Sequence, residues 1–152
     1  MQLSPSFSLS ELVYSETAEQ KGIDNTPPPE VVENLKRLAA GLEAVRVLLG
    51  APLEISSGYR CPALNEAVGG SSTSQHMQGL AVDFECPAFG SPLEVARAIQ
   101  RSDLEFDQCI LEYGRWVHLS FGDAPRRRLL TIYDDDKGYV AGLWDEEGKP
   151  IA

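Results

Sequence analysis

FDQCILEYGRWVHLSF, residues Phe106–Phe121, reads as two strands joined at Tyr113-Gly114-Arg115. Apolar residues alternate with polar ones on both sides of that triplet, and Gly114 supplies a position free to take positive φ. If Glu112 and Trp116 close the loop as a pair, Ile110 faces His118 and Gln108 faces Ser120. Glu112 and His118 then share one face of the hairpin as diagonal neighbours, about 7–8 Å apart at the backbone. A histidine with an acid beside it on a sheet face can do chemistry if a metal or a substrate sits above it.

The chain has only two histidines. The other, His76, stands in SQHMQGLAVDF, residues 74–84, seven positions before Asp83. Leu80 to Glu85 alternates, so Val82 and Phe84 point to a core while Ala81, Asp83 and Glu85 share the opposite face. An aspartate in that run requires a positive partner. Two imidazoles and one carboxylate are three ligands for a divalent zinc, with a fourth position left for water. That donor set suits zinc better than calcium, which takes oxygen. Each residue also has a plainer reading, as a surface or hydrogen-bonded side chain, and the H-x6-D spacing is a weak signal by itself.

Outward from these stretches the chain reads as follows. FSLSELVYSETAEQKG is a helix behind a serine cap, ending near Gly22. IDNTPPPE is a rigid turn in which Thr26 caps the next helix. Val31, Leu35, Leu38, Leu42, Val45 and Leu49 form a helical stripe from about Pro28, stopped by Gly50. PLEIS is a strand, and a short helix starts at Pro62 and stops at Gly69-Gly70. Ser91-Pro92-Leu93-Glu94 is a capping box opening a helix to about Arg101. LLTIY and YVAGLW flank an acidic turn as a second hairpin. Helices first and strands later give an α+β domain, with N-terminal helices on a mostly antiparallel sheet. The expectation is one domain over residues 1–152, with 123–152 adding edge strands or serving as a dimer arm.

Bulk composition narrows the functions. The 152 residues carry 23 acidic and 13 basic side chains, a net charge of -10, and Arg126-Arg127-Arg128 is the one basic cluster. That balance argues against a nucleic-acid partner. No apolar run approaches the roughly 20 residues that span a bilayer. The opening MQLSPSFSLSEL has neither a basic start nor an apolar core, so the expectation is a cytoplasmic chain as synthesised. Cys61, Cys86 and Cys109 are odd in number and widely spaced; small buried thiols are expected, with a Cys61–Cys86 bridge as the alternative.

SGYRCPALN, SQHMQGLAVDF and RWVHLSF, in this order and with these gaps, resemble the zinc D-alanyl-D-alanine carboxypeptidase family. That family shares its metal-site scaffold with lysostaphin-type endopeptidases and the hedgehog signalling domain. FSLSEL, SETA, KGIDNTPPPEVVENLKRLA and FDQCILE resemble its phage and bacterial branch. The resemblance covers about residues 5–122. It implies zinc ligands at His76, Asp83 and His118. It also implies that Arg60 grips a substrate carboxylate or polarises the scissile carbonyl, a task suited to a planar guanidinium. Ser74 and Gln75 are implied as substrate contacts, and Trp116 as a wall of the cleft or a hairpin-packing residue. The substrate class implied is the peptidoglycan stem peptide, cut as a carboxypeptidase or an endolysin-type endopeptidase. A phage enzyme of this kind reaches the wall through a holin.

One departure stands out. Better-known members carry the catalytic acid three positions before the second histidine, where this chain has Arg115. Glu112 on the hairpin face is the expected general base, with Glu85 a weaker candidate. A non-catalytic zinc-bearing binding or virion module is the alternative, and Arg115 is its argument.

Overall fold

The computed structural model describes residues 1–151. Its elements, in chain order, are α1 (Leu9–Val13), α2 (Glu16–Lys21), α3 (Pro29–Leu49), β1 (Glu54–Ser57), α4 (Pro62–Ala67), a 3-10 turn (Gln75–Gln78), β2 (Ala81–Glu85), α5 (Pro92–Arg101), β3 (Gln108–Glu112), β4 (Trp116–Ser120), β5 (Arg128–Ile132) and β6 (Val140–Ala141). The six strands form one sheet in the order β1-β2-β4-β3-β5-β6. Every pairing is antiparallel except β3 with β5. The fold is α+β, as expected.

Period two divides the strands. Val82 and Phe84, Cys109 and Leu111, and Val117 and Leu119 are buried together with Leu35, Leu38, Leu42 and Val45 of α3 and Val95, Ala96 and Ile99 of α5. The α3 stripe is the one expected from the sequence, and its buried positions are those that recur at helical spacing. The opposite face carries Asp83, His118, Ile110 and Glu112, so the helices leave that side of the sheet clear for the site. The 106–121 hairpin closes as read: Glu112 pairs with Trp116, Ile110 with His118 and Gln108 with Ser120. Tyr113 and Gly114 both take positive φ, at 57° and 65°.

Two local expectations are corrected. The N-terminal helix is two helices, because Tyr14 is extended (ψ 135°) and Ser15 starts a new cap, its hydroxyl accepting from the Ala18 N–H. Thr26 does not cap α3. It turns back onto Asp24, whose Oδ1 accepts from both its N–H and its hydroxyl, and α3 begins behind Pro28 without a side-chain cap. Prolines at the start of the helix make that tolerable, since a missing N–H there leaves nothing unpaired.

The tail builds the edge of the sheet. β4 ends beside the start of β3, so the segment 121–127 only has to pass one strand end to bring β5 in parallel with β3. No long crossover over a face is required, in contrast to a parallel pair whose strands follow each other directly. The second hairpin forms, with Leu130 opposite Ala141 and Thr131 opposite Val140. Its acidic turn folds on itself, Asp134 accepting from the Asp136 N–H at 2.8 Å. All three cysteines are free. Cys86 donates to the Pro52 carbonyl, Cys61 sulfur caps α4 by accepting from the Leu64 N–H, and burial pushes the Cys109 thiol up to about 12. No helix of the described chain is long and apolar enough to cross a membrane.

Candidate metal centre and cleft

Three elements bring His76, Asp83 and His118 together. Asp83 and His118 are directly paired across β2 and β4, so sheet register alone sets them side by side. His76 arrives on the 3-10 turn. Ser74 caps that turn by accepting from the His76 N–H, Gly79 ends it at φ 72°, and the Leu80 N–H donates to the Gln75 carbonyl as the chain enters β2. The ligand-type atoms of the three residues all lie within 4.8 Å of one another.

The Asp83 carboxylate is the hub. Its Oδ1 lies 3.3 Å from His76 Nε2 and 3.0 Å from His118 Nδ1, and its Oδ2 accepts from Arg60 Nη2 at 3.3 Å. The imidazole rings stand edge to face with centroids 5.0 Å apart. Burial opposes ionisation of Asp83, but the hydrogen bond from His118 outweighs it and holds the carboxyl well below the usual range. Burial lowers the pKa of His76, against the pull of Asp83, so its ring is neutral near pH 7. His76 Nδ1 lies 2.7 Å from the Gly58 carbonyl oxygen. A carbonyl can only accept, so Nδ1 carries the proton and Nε2 turns its lone pair toward Asp83. A neutral imidazole with its second nitrogen tied to a carbonyl, a second imidazole and an ionised carboxylate fit a zinc ion.

Glycine makes this arrangement fit. A Cβ at Gly58 would stand 2.2 Å from the Leu12 carbonyl oxygen, so no other residue lets the turn lie against α1 while aiming its own carbonyl at His76. A Cβ at Gly70 would stand 2.1 Å from Asn65 Oδ1. Asn65 is buried, donates to the Ser71 carbonyl and accepts from Arg60 Nη1. Arg60 Nε donates to Ser57 Oγ at 3.1 Å. The ladder between β1 and β2 shifts register between Ile55 and Ser57, and this bulge sets Ser57 opposite Asp83. Each of the three guanidinium nitrogens of Arg60 therefore has a protein partner, one of them the hub carboxylate.

Beside the three residues lies a cleft of about 630 Å³, lined among others by Arg60, Glu112, Trp116, Arg128 and Tyr139. Trp116 Nε1 donates to Glu112 Oε2 at 3.1 Å, which fixes the carboxylate and leaves Oε1 without a protein donor among the described residues. Burial, followed by the charge of Asp83, raises the pKa of Glu112 above the ordinary 4.5. Ser74 and Gln75 line the cleft, yet both make structural contacts: Ser74 caps the turn, and Gln75 Nε2 donates to Asp107 Oδ2 at 2.9 Å. Glu85 is exposed opposite Glu54 and does not line the cleft. Arg115, in the hairpin loop, does not line it either.

The structure adds residues that the sequence reading passed over. Asn65 had a signal, its place in SGYRCPALN, one of the stretches that carry the family resemblance. Asp107 had a fainter one, an acid beside Phe106 at a strand start. It is buried, its Oδ1 accepts from Arg126 Nε at 2.5 Å, and its Oδ2 accepts from Arg126 Nη2 and Gln75. Arg128 and Tyr139 had none, because their place in the cleft depends on how β5 and β6 join the sheet.

The family described as peptidase M15 matches residues 5–120, and the chain belongs to that family, whose members are zinc-dependent peptidases. No curated protein matches the chain.

Proposed function

We propose that this M15 peptidase hydrolyses a peptide bond in the stem peptide of peptidoglycan, with zinc held by His76, Asp83 and His118. The observation that carries the reading is the convergence of these three residues within 4.8 Å of one another on the wall of a cleft that also presents Glu112. When bound, zinc supplies Lewis acidity toward a carbonyl oxygen and lowers the pKa of a water to about 7.

The chain's own residues supply the rest. Glu112 is the general base: Oε1 takes the proton of the attacking water and returns it to the leaving amine, while Trp116 holds Oε2. The partial burial that raises its pKa makes it a better proton acceptor than an exposed glutamate. Its place on β3, across the hairpin from Trp116, supplies the carboxylate that position 115 lacks. Arg60 holds Asp83 in place through Nη2 and turns its remaining N–H groups to the substrate. Trp116 walls the cleft beside His118.

The test is turnover of purified peptidoglycan and of a stem peptide ending in D-Ala-D-Ala, with products identified by mass spectrometry. Wild type, a chelated sample, the same sample with zinc restored, and Glu112→Gln are compared. Cleavage that needs zinc and that Glu112→Gln abolishes with zinc retained supports the reading, and product masses name the bond. A zinc-loaded protein that cuts neither substrate overturns it in favour of a binding module.

A further inference from the structure

We infer that Arg128, on the β5 edge of the cleft, is a specificity residue that anchors a carboxylate of the substrate. Choosing a stem peptide as the source of that carboxylate rests on the function proposed above.

Arg128 lies outside the stretch shared with the family, residues 5–120, and enters the cleft through the tail. The register fixes its position. His118 is opposite Ile110, Ile110 is beside Leu130, and Arg128 stands two residues before Leu130 on the same face. Strands about 4.8 Å apart with about 3.3 Å per residue put its backbone about 12 Å from that of His118. An arginine side chain covers a large part of that gap. The remainder matches one or two substrate residues at about 3.3–3.6 Å each.

Arg128 is also the cleft's uncommitted cation. Arg60, on the opposite wall, is engaged by Asp83, Asn65 and Ser57. Asp107, just before β3, accepts the Arg128 N–H at its backbone carbonyl, and its carboxylate oxygens already accept from Arg126 and Gln75. Among the described residues the Arg128 side chain has no ion-pair or hydrogen-bond partner, and it is exposed at the rim. A planar fork of donors at the open end of a cleft whose carboxylates are Asp83 and Glu112 suits a carboxylate, held by two parallel bonds.

Two stem-peptide carboxylates share this chemistry, the C-terminal one and the α-carboxylate of the γ-linked glutamyl residue. The experiment titrates zinc-loaded Glu112→Gln protein, which holds substrate without turnover, with two pairs of probes. One pair is a D-Ala-D-Ala-terminated peptide and its C-terminal amide. The other is a peptide carrying the free glutamyl α-carboxylate and its α-amide. Arg128→Gln and Arg128→Lys are added to the same background. In one pair the carboxylate form is expected to bind about tenfold or more tightly than the amide. Arg128→Gln removes that preference and leaves the amide's affinity unchanged, and Arg128→Lys keeps part of it. The responding pair names the carboxylate. A preference that survives Arg128→Gln, equal losses for both forms, or no preference in either pair overturns the assignment. Wild-type turnover without Arg128-dependent discrimination would remove this role and keep the peptidase. Discrimination without turnover would keep Arg128 and remove hydrolysis.

Discussion

The two faces of the sheet are built from the same strands and follow opposite rules. On one face Phe84, Leu111, Val117 and Leu119 meet α3 and α5 through non-directional contacts, and volume is what matters. On the other, one residue along each strand, Asp83, His118 and Glu112 are held by individual hydrogen bonds whose angles and protonation states matter. The first face should lose stability when damaged and keep its chemistry. The second should lose chemistry and keep its fold.

The sharpest break of that comparison is at the hub. His76→Ala, Asp83→Ala and His118→Ala should each leave no bound zinc by metal analysis and no detectable turnover, with far-UV circular dichroism of the zinc-loaded wild type preserved. Unfolding of all three would mean that the polar face supports the fold as well. Next is Glu112→Gln. Turnover should fall roughly 10²–10⁴-fold with zinc content unchanged. The base works ionised, so activity rises with pH as Glu112 loses its proton. Because burial raises its pKa, that limb should lie above the ordinary 4.5 and vanish in the variant.

On the apolar face, Leu38→Ala opens a fully buried site on α3 and should cost about 2–5 kcal/mol in denaturant unfolding. Activity per folded molecule should be unchanged. A loss of zinc affinity there would show that the faces are coupled. Arg60→Lys tests the support of the hub. A lysine cannot engage Asp83, Asn65 and Ser57 together, so zinc affinity should fall about 10–100-fold in a chelator competition.

The smallest effect concerns Asp107, which ties the tail's Arg126 to Gln75 of the 3-10 turn. The hydrogen bond from Arg126 holds its carboxyl below the ordinary 3.8. A depressed pKa stabilises the fold above the unfolded value, and that contribution is lost as pH falls through the folded one. Thermal melting across pH 5 to pH 2 should therefore drop less steeply for Asp107→Asn than for wild type, after allowing for a lower starting point. Parallel slopes would mean that the Asp107–Arg126 pair does not contribute to acid sensitivity.

Much of this architecture was legible in the chain. The α3 stripe, the capping box before α5 and the register of the 106–121 hairpin follow from local rules, since their deciding contacts lie within a few residues. The same hairpin register puts Glu112 on the face of His118, which is why a carboxylate on that face was legible despite Arg115. The split of the first helix and the idle Thr26 were not legible, because Ser15 and Asp24 offer local hydrogen bonds that compete with the expected ones.

The sequence by itself determined which residue types the site has and the period that puts Asp83, His118 and Glu112 on one face. Only the tertiary structure decided that Asp83 Oδ2 belongs to Arg60, that the Gly58 carbonyl sets the tautomer of His76, and that Arg128 and Tyr139 reach the cleft. Periodicity acts between neighbours in the chain, and a reader of the sequence can follow it. The partner of a carboxylate oxygen, or the strand that joins an open edge, is chosen among groups far apart in sequence by burial and geometry, which exist only once the sheet has formed.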